Sequence, residues 1–352
     1  MATWVDAVDS VESVSRSAPR EAARAEGVEQ LGGELSRMLG RVVPHDGYLL
    51  TGYDPVTGAR CFLACENAYG AGARRRMDQE DALGLTRGPV ARLVDGASPV
   101  VVLGSGARDA GPGERRLHDI MAADCYGSEM CVMLRERDLS CGTLVLLRER
   151  GARPFSPADA ARAAELAGPL ALAVRRFVTG RAPRPRRTHF PPVVVLVGQD
   201  DEVKGVTAAG REALRGLLPG VYPAGDRELF GFARHLICTA RRTGEPALTR
   251  APTSLGWFSL QAQPWEGRES GEVVVTLQPA PPADLLPALV RWYGISARER
   301  TVIEQVLEGQ AAKQIARRLG LSPHTVNDHF KSVYRKTGVG SREELLAWLL
   351  RG

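Results

Sequence analysis

The spacing of apolar residues along this 352-residue chain changes several times, and each change predicts an element. From Val28 to Val42, Leu31, Leu35, Met38 and Leu39 recur three and four positions apart, which predicts a helix with one buried stripe. The period then drops towards two. Gly47 to Tyr53 and Arg60 to Cys65 flank the turn residues Asp54-Pro55-Val56-Thr57-Gly58 and predict a hairpin. Val100 to Leu103 reads as a third strand, with Met130 to Leu134 and Gly142 to Leu147 as two more around Arg135 to Ser140. Helical spacing returns after Phe155-Ser156-Pro157, where proline fits the first turn because its missing amide proton has no partner to lose. Ala161, Ala164, Leu166, Leu170 and Val174 then face a sheet through about Val178. The stretch from Glu66 to Arg92 follows neither period and reads as irregular. Arg74-Arg75-Arg76 inside it is either a solvated loop or a contact for an anionic ligand.

Pro183, Pro185, Pro191 and Pro192 stand among Arg181, Arg184, Arg186 and Arg187, so 179–192 predicts an extended linker. Beyond it, Val193 to Val197 and Val203 to Val206 read as strands. Helices follow over Ala208 to Leu217 and Arg227 to Arg241, and Trp257 to Trp265 with Glu272 to Gln278 alternate as closing strands. Pro279 to Pro287 reads as another linker, leading to Leu289, Val290, Trp292 and Tyr293, which are expected to pack against whatever follows.

The last 60 or so residues are punctuated differently. Ser296-Ala297-Arg298-Glu299 is a capping box, in which hydroxyl and carboxylate satisfy each other's orphan amides and start a helix, and Gly309 ends it. Ala311 to Leu319 carries Ile315, Ala316 and Leu319 on one face before Gly320 supplies a tight turn. Ser322-Pro323 caps a third helix that runs to Thr337 and stops at Gly338; Ser341-Arg342-Glu343-Glu344 opens a fourth, through Leu350. On the third helix Val326, Phe330, Val333 and Tyr334 share a face expected to lie against Val302, Val306, Ile315 and Leu319. Asn327, Asp328, Lys331 and Arg335 form the opposite, polar ridge. Amides and cations so spaced match base edges and neighbouring phosphates of a DNA major groove.

These motifs, Ile295-Ser296-Ala297-Arg298-Glu299-Arg300, Ile315-Ala316-Arg317-Arg318-Leu319, Ser322-Pro323-His324-Thr325-Val326-Asn327-Asp328-His329 and Lys336-Thr337-Gly338-Val339, closely resemble the LuxR-type four-helix DNA-binding domain. The resemblance covers about a sixth of the chain. It implies a homodimer on a two-fold site in double-stranded DNA, with the last helix supplying part of the dimer contact. The DNA-facing residues expected are Lys313, Ser322, His324, Thr325, Asn327, Asp328, Lys331 and Arg335. Asn327 departs from the family pattern, which is frequently basic there; an asparagine pairs bidentately with adenine, while Asp328 accepts from a cytosine amino group or orients Lys331.

Charge supports this reading independently. Residues 288–352 hold 11 Lys and Arg against 6 Asp and Glu, an excess of five that equals the formal net charge of the whole chain. Three of the four lysines, Lys313, Lys331 and Lys336, fall in that stretch. Positive charge confined to one module is the footprint of phosphate binding. The first 180 residues contain no lysine, which excludes a phosphoacceptor receiver unit there.

The 44% hydrophobic content is enough to bury ordinary cores in two to three domains. No apolar run reaches membrane-spanning length and the amino terminus lacks a signal-peptide pattern, so a cytoplasmic protein without a membrane partner is expected. The expected fold class is multidomain α+β. Residues 1–26 are a flexible or helical segment. Residues 27–178 resemble a GAF domain, a sensory antiparallel sheet with flanking helices; their order, not a residue signature, carries that likeness. A small-molecule effector or protein partner is expected on one sheet face. Residues 193–279 resemble a small PAS domain, 280–287 are a linker, and 288–352 are the all-α head. No cofactor or metal is expected, since His45 and His118 lack partners at ligand spacing.

Six cysteines without a Cys-x-x-Cys pair read as reduced thiols. Cys61 and Cys65 on a strand would lie about 13 Å apart, too far for a disulfide. The alternative reading is a thiol-dependent redox enzyme or sensor in the first module, with Cys125 and Cys131 as candidates. That chemistry needs a low-pKa thiol beside a resolving one.

Overall fold

A computed structural model describes residues 12–18, 27–82, 90, 92–93, 96–104, 112–180, 190–217, 233–253, 255–266 and 271–351. After a short helical stretch over 12–18, the first module runs α1 (Val28–Gly40), β1 (Gly47–Tyr53), β2 (Arg60–Glu66), α2 (Ala71–Ala82), β3 (Val100–Gly104), α3 (Pro112–Ala123), β4 (Tyr126–Glu136), β5 (Leu139–Glu149) and α4 (Pro157–Thr179). Its strands form one antiparallel sheet in the order β2-β1-β5-β4-β3. The central strands are apolar on both faces because both are covered. Met130, Val132 and Leu134 of β4, with Leu144 and Leu146 of β5, meet Leu31 and Leu35 of α1 and Leu166 and Leu170 of α4. The alternate residues Cys131, Met133, Val145 and Leu147 enter a second layer with Tyr69, Leu117 and Met121, against which Ala73 and Met77 of α2 pack. α4 begins as expected: Ser156 Oγ accepts from the Asp159 amide at 3.2 Å and Asp159 Oδ2 accepts from the Ser156 amide at 2.9 Å.

Two helices correct the sequence reading. The segment read as irregular from Glu66 to Arg92 contains α2, so Arg74, Arg75 and Arg76 stand on a helix, where Arg76 pairs with Glu80 at 2.9 Å; residues 83–89 lie outside the described residues. α2 consists mainly of good helix formers, but only Ala73 and Met77 make an apolar pair one turn apart, too little periodicity to read. Helix α3 was not anticipated at all.

The second module comprises β6 (Val193–Val197), β7 (Val203–Val206), α5 (Ala208–Leu217), α6 (Arg234–Thr243), β8 (Ala247–Thr253), β9 (Gly256–Pro264) and β10 (Val273–Pro279). Its antiparallel sheet has the order β7-β6-β10-β9-β8. Val195, Val197, Phe258, Leu260, Val273 and Val275 bury their side chains with Leu236 and Ile237 of α6. The helix expected from Arg227 starts at Arg234 among the described residues; 227–232, the loop at Pro219 to Asp226 and most of the 179–192 linker lie outside them. Strand β8 was missed because Pro252 argues against a strand. It is tolerated at a sheet edge, where no ladder partner needs its amide proton.

The modules are joined by polar clasps. Asp54, fully buried in the β1–β2 turn, accepts from the Arg250 guanidinium at 2.8 Å and the Arg250 amide at 2.9 Å. Its other oxygen accepts from the amides of Val56 and Thr57, so one carboxylate shapes a turn and holds β8. Arg291 donates to the Pro55 carbonyl at 3.2 Å, and α2 packs on α6 with Gln79 donating to Asp201 at 3.0 Å.

The stretch read as a linker over 280–287 is instead largely helical: α7 (Pro282–Tyr293) begins there, with Pro282 accommodated at its first position and Pro287 inside the helix. α8 (Ala297–Leu307), α9 (Ala312–Leu319), α10 (Pro323–Thr337) and α11 (Arg342–Arg351) complete the chain. As expected, the end of α7 packs against this head: Tyr293 meets Trp348 of α11 edge to face at 5.1 Å, and Leu289 and Trp292 share a core with Ile303, Val333, Leu345 and Leu349. Among the described residues no helix is long and apolar enough to cross a membrane.

Candidate nucleic-acid interface

The head is held by caps and one internal clamp. Ser296 Oγ accepts from the Glu299 amide at 3.3 Å while Glu299 Oε2 accepts from the Ser296 amide at 2.6 Å, closing the capping box of α8. The same carboxylate accepts from Lys336 Nζ at 2.7 Å, and Lys336 also donates to the Gly294 carbonyl at 2.8 Å. Lys336 therefore ties the end of α10 to the start of α8 and is a structural cation. Burial opposes ionisation of Glu299, but the hydrogen bonds from Lys336, Ser296 and Ser332 outweigh it and hold the carboxyl at about 2. At α11, Ser341 Oγ accepts from the Glu344 amide at 3.1 Å, whereas Glu344 reaches the amide of Gly340, one residue before the position a capping box would use.

Between α9 and α10, Gly320 adopts φ 63° and ψ 34°, a left-handed conformation that side chains with a Cβ rarely take. This turn lets two short helices share one core: Val302, Val306, Ile315, Ala316, Val326 and Phe330 are all buried together, with Leu319 and Tyr334 packed at the edge. The buried stripe expected on the third helix is thus in place, although Val333 points into the larger core beneath α7. Ser322 caps α10 by accepting from the Thr325 amide at 3.1 Å, and its hydroxyl lies 2.9 Å from Thr325 Oγ1.

The opposite ridge is open to solvent. His324, Asn327, Asp328, Lys331 and Arg335 are exposed, and Thr325 is half-buried. Asp328 sits between two donors, with His324 Nε2 at 3.4 Å and Lys331 Nζ at 3.4 Å, so it aligns the lysine along the helix. Lys313 is exposed on α9, and Arg317, not singled out from the sequence, stands one turn further along the same exposed side. Its i+4 spacing from Lys313 was the available signal. α10 packs mainly on α8 and α9, which leaves its outer face uncovered among the described residues.

The other candidate chemistry fares differently. All six cysteines are free; burial pushes the thiols of Cys61 and Cys131 well above their ordinary range, away from the thiolate that redox work requires. Cys125 is exposed on a turn. His45 is held structurally, with Nδ1 2.8 Å from the Val43 carbonyl and Nε2 2.8 Å from Ser36 Oγ. In the layer beneath α2 and α3, Tyr69 donates to the buried carboxylate of Glu129, whose pKa burial pushes up to about 7.

Two short helices joined by a glycine turn, the second capped by serine-proline and polar on its outer side, define a helix-turn-helix head. Residues 294–349 match the family described as bacterial regulatory proteins, luxR family, so the carboxyl-terminal head is a LuxR-type domain. The transcriptional regulatory protein UhpA of Escherichia coli K12 is 41% identical over 58 residues, covering 16% of this chain and 30% of that protein. An HTH-type transcriptional regulator of Mycobacterium tuberculosis is 44% identical over 55 residues, covering 16% of this chain and 6% of that one. The chain thus matches less than a third of the length of these relatives. Among solved structures, Escherichia coli SdiA aligns over 96% of this chain and 95% of its own at 13% identity, with a TM-score of 0.34. The Vibrio cholerae VqmA dimer aligns over 46% and 82% at 18% identity, with a TM-score of 0.21. Neither superposition bears on how the upstream modules work.

Proposed function

We propose that this protein is a sequence-specific, DNA-binding transcription regulator that works in the cytoplasm as a homodimer, its head controlled by two upstream sensory modules. The observation that carries the reading is the exposed ridge of Asn327, Asp328, Lys331 and Arg335 on a capped helix whose other side is buried in a LuxR-type domain. Asn327 reads a base edge, Lys331 and Arg335 contact bases or phosphates, and Lys313, Ser322, His324 and Thr325 supply flanking contacts to the same duplex.

Residues 27–178 act as a GAF-like sensor, supported by an antiparallel sheet with helices on both faces. A small-molecule effector binds on the face beneath α2, where Tyr69 and the carboxyl of Glu129 are polar groups beside Leu103, Met121 and Met133. Residues 193–279 act as a PAS-like module that passes the signal on; its α6 touches α2, and its β8 is clasped by Asp54. A coupling of about 1–3 kcal/mol between effector and head is enough for regulation.

Selection of genomic fragments by the purified full chain, followed by sequencing, tests the reading. A recovered two-fold motif whose binding weakens with salt supports it; no salt-sensitive retention on any fragment, with cell extract supplying the effector, overturns it.

A further inference from the structure

Helix α7 is built into the head. Tyr293 packs edge to face on Trp348 of α11, Leu289 and Trp292 share a core with Ile303, Val333, Leu345 and Leu349, and Lys336 of α10 donates to the Gly294 carbonyl at 2.8 Å. Whatever sets the direction of α7 therefore sets the direction of the ridge on α10. The start of α7 is pinned, because the Arg250 guanidinium of β8 donates to the Asp284 carbonyl. Trp292 lies about two turns further on, roughly 12 Å along the axis. A change of angle at that far end moves the head most.

The far end meets the sensory module in a reciprocal pair of helix caps. The last carbonyls of a helix have no partner within it, and here each of two helices supplies the donor for the other. Arg175 of α4 donates through Nε to the Trp292 carbonyl at 2.7 Å, and the Tyr293 hydroxyl donates to the Thr179 carbonyl of α4 at 3.2 Å. A guanidinium at a helix C-terminus is also favoured by the helix dipole. The other arm of Arg175 donates to Glu136 on β4 at 2.9 Å. The second oxygen of Glu136 is buried without a partner among the described residues, so Arg175 is the cation that neutralises this carboxylate there. Val174 and Phe177 of α4 share a core with Leu285 and Leu286 of α7, but apolar attraction has no direction and resists separation better than sliding. Hydrogen bonds weaken steeply when bent, so the caps fix the angle. Arg291 also reaches out from α7, through one exposed bond of 3.2 Å to the Pro55 carbonyl.

We propose that Arg175 is a positioning residue: by bridging Glu136 to the Trp292 carbonyl it fixes the angle at which the sensory module holds the head, and in a two-fold dimer it selects one spacing between half-sites. This rests on the DNA-binding reading above. Glu129 of the effector layer lies on the same strand as Glu136, so a shift of β4 reaches the head by this route.

The test uses the full chain and duplexes carrying the two-fold motif from genomic selection, at the recovered spacing and with one base pair added or removed. Each base pair turns one half-site by about 34° relative to the other. Wild type should bind the altered spacings about tenfold or more weakly, and in Arg175→Met that penalty should shrink to about threefold or less. Affinity for a duplex with a single half-site should stay unchanged, whereas a merely damaged head would lose affinity for every duplex alike. Tyr293→Phe removes only the reciprocal cap and keeps the ring on Trp348; it should shift the penalty the same way by a smaller factor. Hydrogen–deuterium exchange without DNA is an independent arm: amides at the end of α7 should exchange about tenfold faster in Arg175→Met, as loss of a charge-assisted hydrogen bond implies, while those of α8 to α10 keep their wild-type rates. An undiminished spacing penalty in Arg175→Met, equal relaxation in Arg291→Met, an equal loss on single and paired half-sites, or unchanged exchange at the end of α7 would each overturn the assignment. If the wild type bound no two-fold duplex, the DNA-binding reading would fall first and this inference with it.

Discussion

The ridge on α10 makes a quantitative demand on salt dependence. In a two-fold dimer Lys313, Lys331 and Arg335 present six cations, and at a slope of about −0.9 per phosphate contact they give a log–log slope near −5.4. Between 50 and 200 mM salt that slope weakens binding about 2,000-fold. Lys331→Ala removes two contacts per dimer, so the slope should flatten to about −3.6 and the loss over the same range shrink to about 150-fold. A second effect follows from the 3.4 Å spacing of Lys331 and Asp328: without the lysine, the Asp328 carboxylate faces the phosphates unscreened. Low-salt affinity should therefore fall by more than the lost counterions alone explain, and Asp328→Ala on top of Lys331→Ala should recover part of it. Fluorescence anisotropy with a selected operator duplex at four salt concentrations measures both quantities, with Arg135→Ala, exposed on β4 of the first sheet, as the control. A slope that stays near the wild-type value in Lys331→Ala, or that flattens equally in the control, would refute the placement of the ridge against DNA.

Three further outcomes are expected. Asn327→Ala should relax preference at one base pair by about 1–3 kcal/mol, read from competition between duplexes, and an equal loss on every duplex would make Asn327 a positioning residue only. Asp54→Ala strands the buried Arg250 guanidinium and should destabilise the chain by about 3–5 kcal/mol, whereas Asp54→Ala with Arg250→Met should cost much less because no charge is left buried alone; a double variant that costs the sum of the singles in urea denaturation contradicts the clasp. Glu299, held at about 2 against an ordinary 4.5, contributes stability that is complete above 4.5 and disappears as pH falls through 2, so Glu299→Gln should remove that part of the acid slope. Identical unfolding midpoints against pH for the two proteins between pH 5 and 2.5 would deny the Lys336–Glu299 clamp its role.

The head was almost fully legible in the sequence because its rules are local. A serine three residues before a glutamate, a proline after a serine and a glycine at a left-handed turn each act within one helical turn, and Ser296, Ser322 and Gly320 do in the structure what their spacing implied. The same locality made the hairpin around Asp54 and the long helix after Ser156 readable. Helix α2 was not readable, since its own stripe is only Ala73 and Met77, and the surfaces that cover it belong to Leu117 and Met121 in the same module and to α6, more than 150 residues away in the chain.

Sequence alone determined that a helix-turn-helix head ends this chain and which of its side chains face outward, because helical period and end-capping are set by residues three or four apart. Only the tertiary structure decided which cations are available. Lys336 and Lys331 carry the same charge five residues apart, yet one is locked on Glu299 and the Gly294 carbonyl while the other lies on the open ridge. The same holds for Asp54 and Arg250, 196 residues apart in the chain yet paired at 2.8 Å in the interior, a juxtaposition that packing creates and no local spacing encodes.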